Sequence, residues 1–104
     1  MEELIKRILK FRDDRDWSQF HTPENLAKAI SIESAELLEN FLWDSKFNKE
    51  NVEEELADVM IYCLMMADRL DVDIINIMNA KIDKNEKKYP VEKSKGNSKK
   101  YTEL

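Results

Sequence analysis

Four acidic side chains stand out by type and spacing. Glu33 and Glu36 lie within LAKAISIESAELLENFLW (residues 26–43), and Glu55 and Asp58 within EEELADVMIYCLMMA. Residues three or four apart on a helix are neighbours. Glu33 therefore falls beside Ala29, Ile30 and Leu37, and Glu36 beside Ile32 and Asn40. Glu55 and Asp58 have Val59, Ile61 and Tyr62 as neighbours. Two helices with acidic i, i+3 pairs on apolar faces can gather four carboxylates around one point. Close negative charges repel strongly where the dielectric is low. Such a cluster either holds protons or is held together by a cation. An all-oxygen set without His or Cys suits a hard divalent ion, most simply Mg2+, with Mn2+ a possible substitute. The plainer alternative is that these are ordinary surface acids, as Glu39, Glu50, Glu53 and Glu54 are expected to be.

Aromatic and polar groups flank the acids. Trp17, Phe20, His21 and Trp43 bracket the first acidic helix. They could box a base, or simply cap a helical bundle. Lys81, Asn85 and Lys88 recur at i, i+4, i+7, and Asn85 continues a stripe from Ile75, Met78 and Ile82. An Asn there can read a ligand or satisfy a helix end. With a single His in the chain, a di-iron bundle built on two Glu-x-x-His motifs is excluded. Cys63 is the only cysteine. No internal disulfide is possible, which fits the cytoplasm, and Cys63 reads as a small buried apolar residue.

These groups must be positioned by helices. The chain of 104 residues uses Gly once and Pro twice, and reads as one domain over 1–104. Few turn residues and abundant Leu, Ile, Glu and Lys indicate an all-α fold. The pattern predicts a four-helix bundle, with helices over about 2–15, 23–42, 50–70 and 74–88. Thr22-Pro23 supplies a helix start, and Tyr89-Pro90 a stop. Residues 43–48 read as a polar loop and 89–104 as an irregular basic tail. Val59 to Ala67 is apolar nearly all the way round. Such a helix is buried on every side, so at least a dimer is expected. No apolar run is long enough to span a membrane, and the first residues do not resemble a signal peptide. Charge is uneven. Residues 1–80 carry 9 Lys+Arg against 18 Asp+Glu, whereas 81–104 carry 8 Lys against 4 Asp+Glu. An acidic bundle with a basic end is a poor partner for a nucleic-acid polymer, but it can handle a small polyphosphate if cations neutralise the acids.

The ordered set RDWSQFHTPENLAKAISIESAELLENFLW, EELADVMIYCLMMADRLDVD, AKIDKNEKKYP and SKKYTEL resembles the all-α nucleoside triphosphate pyrophosphohydrolases of the MazG type. Its dCTP-pyrophosphatase-like branch is the nearest likeness. The resemblance spans nearly the whole chain. The two acidic pairs are common to the superfamily, while the RDW, QFH and KYTEL segments are more specific. The resemblance implies Mg2+ on Glu33, Glu36, Glu55 and Asp58. It implies cleavage between the α and β phosphates, in nucleotide-pool sanitation, by homodimers or homotetramers. Trp17, Ser18, Gln19, Phe20, His21, Trp43 and Tyr62 match nucleotide-contacting positions, and Asn85 matches a recurrent polar one. Ile32 and Ala35 depart from the pattern, since several relatives carry Gly there. The short loop over 44–50 bears on base selection.

On this reading Glu36 takes the proton of the attacking water, Gln19 or His21 reads the base edge, and Lys81, Lys88 and the Lys99-Lys100-Tyr101 tail hold the β and γ phosphates. Two alternatives stand beside it. One is a pyrophosphohydrolase of the same fold acting on dUTP, a broad set of triphosphates or a modified nucleotide. The other is a non-catalytic helical module whose acids pair with a partner's lysines.

Overall fold

A side-chain cap starts each of the three α-helices that carry the acidic pairs or Lys81, Asn85 and Lys88. The structure, a computed structural model, describes residues 1–43 and 46–103. Among these residues it is all-α, with no strand. Two compact units are present, Met1–Val72 and Asp73–Leu104.

In the first unit, α1 spans Glu2–Asp14, α2 Pro23–Glu39 and α3 Lys49–Arg69. Thr22 Oγ1 accepts from the Asn25 amide at 3.1 Å, and Pro23 fills the first turn. Asn48 Oδ1 likewise accepts from the Asn51 amide, at 3.2 Å. Each cap satisfies a donor that a helix start leaves orphaned. Helix α2 stops three residues before the expected Leu42. Asn40 is the reason: its side-chain amide donates to the carbonyls of Glu36 and Leu37, at 3.3 and 3.1 Å. The chain then tightens, with the amides of Phe41 and Leu42 bonding back only three residues, to Leu38 and Glu39.

Helices α1 and α3 end alike, and neither end contains glycine. After α1, the Asp16 amide donates to Asp13 and the Trp17 amide to Arg12, with Asp16 at φ 55°. After α3, the Asp71 amide donates to Asp68 and the Val72 amide to Ala67, with Asp71 at φ 54°. Both are Schellman closures with Asp in the left-handed position that Gly usually fills. That backbone is strained for a residue with a Cβ. Asp71→Gly is therefore expected to raise stability, by about 0.5 kcal/mol after the greater freedom of unfolded Gly is counted. Thermal melts of the two proteins check this.

Helices α2 and α3 make the main packing, and α1 leans on α3. The core is Ile8, Leu26, Leu64, Met65 and Ala67. Helix α3 is not buried on every side within the chain: Leu56 and Met60 are exposed, and Ile61, Tyr62, Cys63 and Met66 are half-buried.

In the second unit, α4 spans Ile74–Lys88 and is capped by Asp73, whose Oδ1 accepts from the Asn76 amide at 3.0 Å. The segment after it is more ordered than its composition suggested. Pro90 opens a single turn, α5 (Val91–Ser94), and Tyr101–Glu103 forms a 3-10 turn. Tyr101 meets Tyr89 edge-on at 6.1 Å, and Lys88 Nζ lies 4.9 Å from the Tyr101 ring centre. A tyrosine pair and a cation–π contact hold this end, and neither has a periodic signature.

Candidate active site

The short connection from α2 to α3 lets the two acidic pairs meet. Carboxylate oxygens of Glu33, Glu55 and Asp58 all lie within 4.8 Å of one another. Glu33 and Glu55 are half-buried, and Asp58 and Glu36 are exposed. Glu36 stands beside this trio rather than within it. It nevertheless shares their field. Burial pushes the Glu33 carboxyl up to about 7, helped by hydrogen bonding and charge from Glu36 and by the charges of Asp58 and Glu55. Glu55 is raised as well, by desolvation first and then by Glu36 and Asp58.

One oxygen each of Glu33 and Glu55 (Oε2) is buried without a hydrogen-bond partner. Buried polar atoms are nearly always paired, and an orphan costs free energy. Orphaned hard oxygens that converge under mutual repulsion fit a divalent cation, which would satisfy both lone pairs and charge. No histidine or thiol ligand belongs to the set.

Glu33 and Asp58 also line a cavity of about 620 Å3 between α1 and α3. Its other walls include Leu4, Ile8, Phe11, Trp17, His21 and Tyr62. This is the size of a small-molecule site. His21 and Tyr62 meet at 6.5 Å with rings tilted 68°. The imidazole Nδ1 is buried and unpaired, and burial, then the charges of Arg12 and Arg69, lower its pKa. Tyr62 is raised by burial and by the nearby carboxylates, led by Glu33.

The expected residues do not all converge. Ser18, Gln19 and Phe20 form a 3-10 turn between Trp17 and His21. Gln19 spends its amide on Asp16, donating to its carbonyl and to Oδ2, both at 3.0 Å. Phe20 is exposed, and its carbonyl accepts from Asn25 Nδ2. Trp43 is 92% exposed and is not among the residues lining the cavity. Asp44 and Ser45, at the start of the loop expected to bear on base selection, and Leu104 lie outside the described residues. Lys81, Asn85 and Lys88 are exposed along α4 in the second unit.

The model of the MazG-like family matches residues 28–104. The chain belongs to the MazG-like family. It is also 39% identical to dCTP pyrophosphatase 1 of Rattus norvegicus, over all of this chain and 67% of that protein. The human dCTP pyrophosphatase 1 is 36% identical over the same shares. A crystal structure of a pyrophosphatase from Archaeoglobus fulgidus is 46% identical, with a TM-score of 0.82, covering 86% of this chain and 92% of that one. With these relatives, this MazG-like chain is a nucleoside triphosphate pyrophosphatase, a hydrolase. Among the described residues no helix is long and apolar enough to cross a membrane.

The MazG-like match begins inside α2, whereas the similarity to dCTP pyrophosphatase 1 also takes in α1 and the aromatic turn that follows it. That part also supplies cavity residues beyond the candidates named from the sequence. Leu4, Ile8 and Phe11 form one stripe of α1 and wall the cavity. Their i, i+4, i+7 spacing was a signal that could have found them. Phe11 meets Trp17 edge-on at 5.6 Å, and the Arg15 guanidinium lies 3.8 Å from the Phe11 ring centre. Nothing in the local pattern announced that stack.

Proposed function

We propose that this MazG-like protein hydrolyses dCTP to dCMP and pyrophosphate, with Mg2+ held by Glu33, Glu55 and Asp58 and completed by Glu36. The observation that carries the reading is the trio of carboxylates within 4.8 Å, two of whose members wall a cavity shared with Trp17, His21 and Tyr62. That combination joins a site for polyphosphate charge to a site for a base. A cation bound there supplies the charge that neutralises phosphate oxygens and acidifies water.

The chain's own groups divide the remaining work. Glu36 is exposed and lines a second cavity of about 320 Å3 with Glu39, Asn40, Asn51 and Glu55. Water reaches it, and it is assigned to accept the proton of the attacking water. Trp17 and Tyr62 offer ring faces and edges to the base. Stacking tolerates any base, so selection needs a polar group. His21 is suited to it. Burial lowers its pKa and so favours the neutral imidazole, in which one ring nitrogen is an acceptor. It would accept from the exocyclic amine of cytosine and oppose the carbonyl of uracil. Exposed apolar side chains on α2 and α3 (Ile32, Leu38, Leu56, Met60) and, in the second unit, on α4 (Ile75, Ile77, Met78, Ile82) support a homodimer or homotetramer.

Steady-state kinetics on dCTP, dUTP, dTTP, dATP, dGTP and CTP test the reading. The highest kcat/KM is expected for dCTP, with all turnover lost on chelation. His21→Phe is expected to erode the preference for dCTP over dUTP roughly tenfold or more, because an unpaired base amine loses its partner. Equal rates on all six triphosphates, or an unchanged ratio in the variant, would contradict the assignment.

A further inference from the structure

Arg12 lies outside the carboxylate cluster and is not among the residues lining either cavity. Its environment is unusual for an arginine near a helix end. The side chain is only 11% exposed. Its Nε donates to Asp13 Oδ1 at 2.8 Å, and its Nη1 donates to Asp68 Oδ2 at 2.9 Å. The second bond joins α1 to α3, 56 residues apart in sequence. The pairs Lys10–Asp14, Lys28–Glu24 and Lys49–Glu53, by contrast, each lie within one helix and between more exposed side chains. Exposed local pairs contribute little. An arginine side chain with little exposure that donates to two carboxylates, one of them on another helix, is a stronger tie, since its bonds are charge-assisted and its geometry is fixed by packing.

The backbone of the same residue holds the aromatic wall. Arg12 O accepts from the Trp17 amide at 3.1 Å, the longer bond of the Schellman closure, and from the Arg15 amide at 3.3 Å. The hydrophobic contact that accompanies such closures is made here by Trp17 on Phe11. Both rings line the cavity, as does His21, four residues on from Trp17. One residue thus fixes the end of α1 to α3 through its side chain and hangs Trp17 from that fixed end through its carbonyl.

We propose that Arg12 is a positioning residue for the nucleotide cavity, and that its pairing with Asp68 sets where Trp17 stands. The role in substrate binding rests on the dCTP reading above, whereas the placement of Trp17 does not. The expectation is a binding defect without a chemical one, because the carboxylates lie on α2 and α3 and are not touched. Arg12→Gln and Asp68→Asn should each raise KM for dCTP roughly tenfold, the order of loss that a small misplacement of a binding wall produces. The kcat of each should stay within about twofold, as for an interaction felt equally in ground and transition states. The double variant should be little worse than either single one, since both changes break the same tie.

A second readout separates this from the proposed function. The protein has two tryptophans, hence two indole N–H signals by NMR. Without any nucleotide, Asp68→Asn should move the Trp17 signal and leave that of Trp43. Asp68 is itself 38% exposed, so this variant is expected to fold, which a thermal melt verifies. A Trp17 signal unmoved in folded Asp68→Asn would overturn the proposal whatever the substrate is. Additive rises in KM, or a fall in kcat matching the rise in KM, would overturn it too. If wild-type protein failed to turn over dCTP while the Trp17 signal still moved, the substrate reading would fall and the positioning role of Arg12 would stand.

Discussion

Glu33→Gln and Asp58→Asn are each expected to abolish turnover, by a factor on the order of a thousand or more, while the protein stays folded. A cation contributes several kcal/mol of charge stabilisation to phosphoryl transfer, and each ~1.4 kcal/mol is tenfold in rate. Both residues belong to the converging trio and both face the cavity. The sign of the stability effect distinguishes a metal site from a structural ion-pair network. In the metal-free protein burial first, and then the neighbouring carboxylates, disfavour ionised Glu33 and Glu55. Removing one charge should leave the metal-free melting temperature unchanged or higher. It should also remove the rise that Mg2+ gives the wild type. Melts with and without MgCl2, beside kcat, test both halves. A variant that loses activity only because it unfolds would show the opposite stability change.

Magnesium should stabilise the protein far more at pH 8 than at pH 5. Glu33 is pushed up to about 7 from an ordinary 4.5. Between these values the folded, metal-free protein keeps a proton that the unfolded chain has released. Stability of the metal-free form therefore falls as pH rises from about 4.5 to about 7, because the native state binds more protons across that window. Cation binding requires the ionised carboxylates, so it strengthens through the same window. At a free concentration of about 100 times Kd the stabilisation is about 2.7 kcal/mol. For a chain of this length that is roughly 10 °C or more in melting temperature. Melts from pH 5 to pH 8 with and without MgCl2 measure it. An increment equal at both ends would mean that Glu33 is not among the ligands.

What could be read from the sequence was periodic. Helix α4 runs over the expected 74–88, and α1 and α3 differ from expectation by a residue at their ends. The convergence of Glu33 with Glu55 and Asp58 follows from i, i+3 spacing on two helices joined by a short loop. The misses are local polar events without a period. Asn40 ends α2 early by donating to two carbonyls. Gln19, a candidate for reading the base, is bound to Asp16 in the turn after α1. That turn was hard to foresee because its left-handed residue is Asp and not Gly. The Arg12–Asp68 tie joins residues remote in sequence, and no window of the chain contains both. Trp43 and Trp17 were equivalent on paper, yet the first is almost fully exposed and the second walls the cavity.

Cleavage between the α and β phosphates is tested most directly by 31P NMR of the products formed from dCTP and Mg2+ in water enriched in 18O. The expected products are dCMP and pyrophosphate in equal amounts, with no signal for dCDP or orthophosphate, and no reaction after chelation. Attack at the α phosphorus further places the label in dCMP. Orthophosphate with dCDP would contradict it, because the bond broken would then be the β–γ bond.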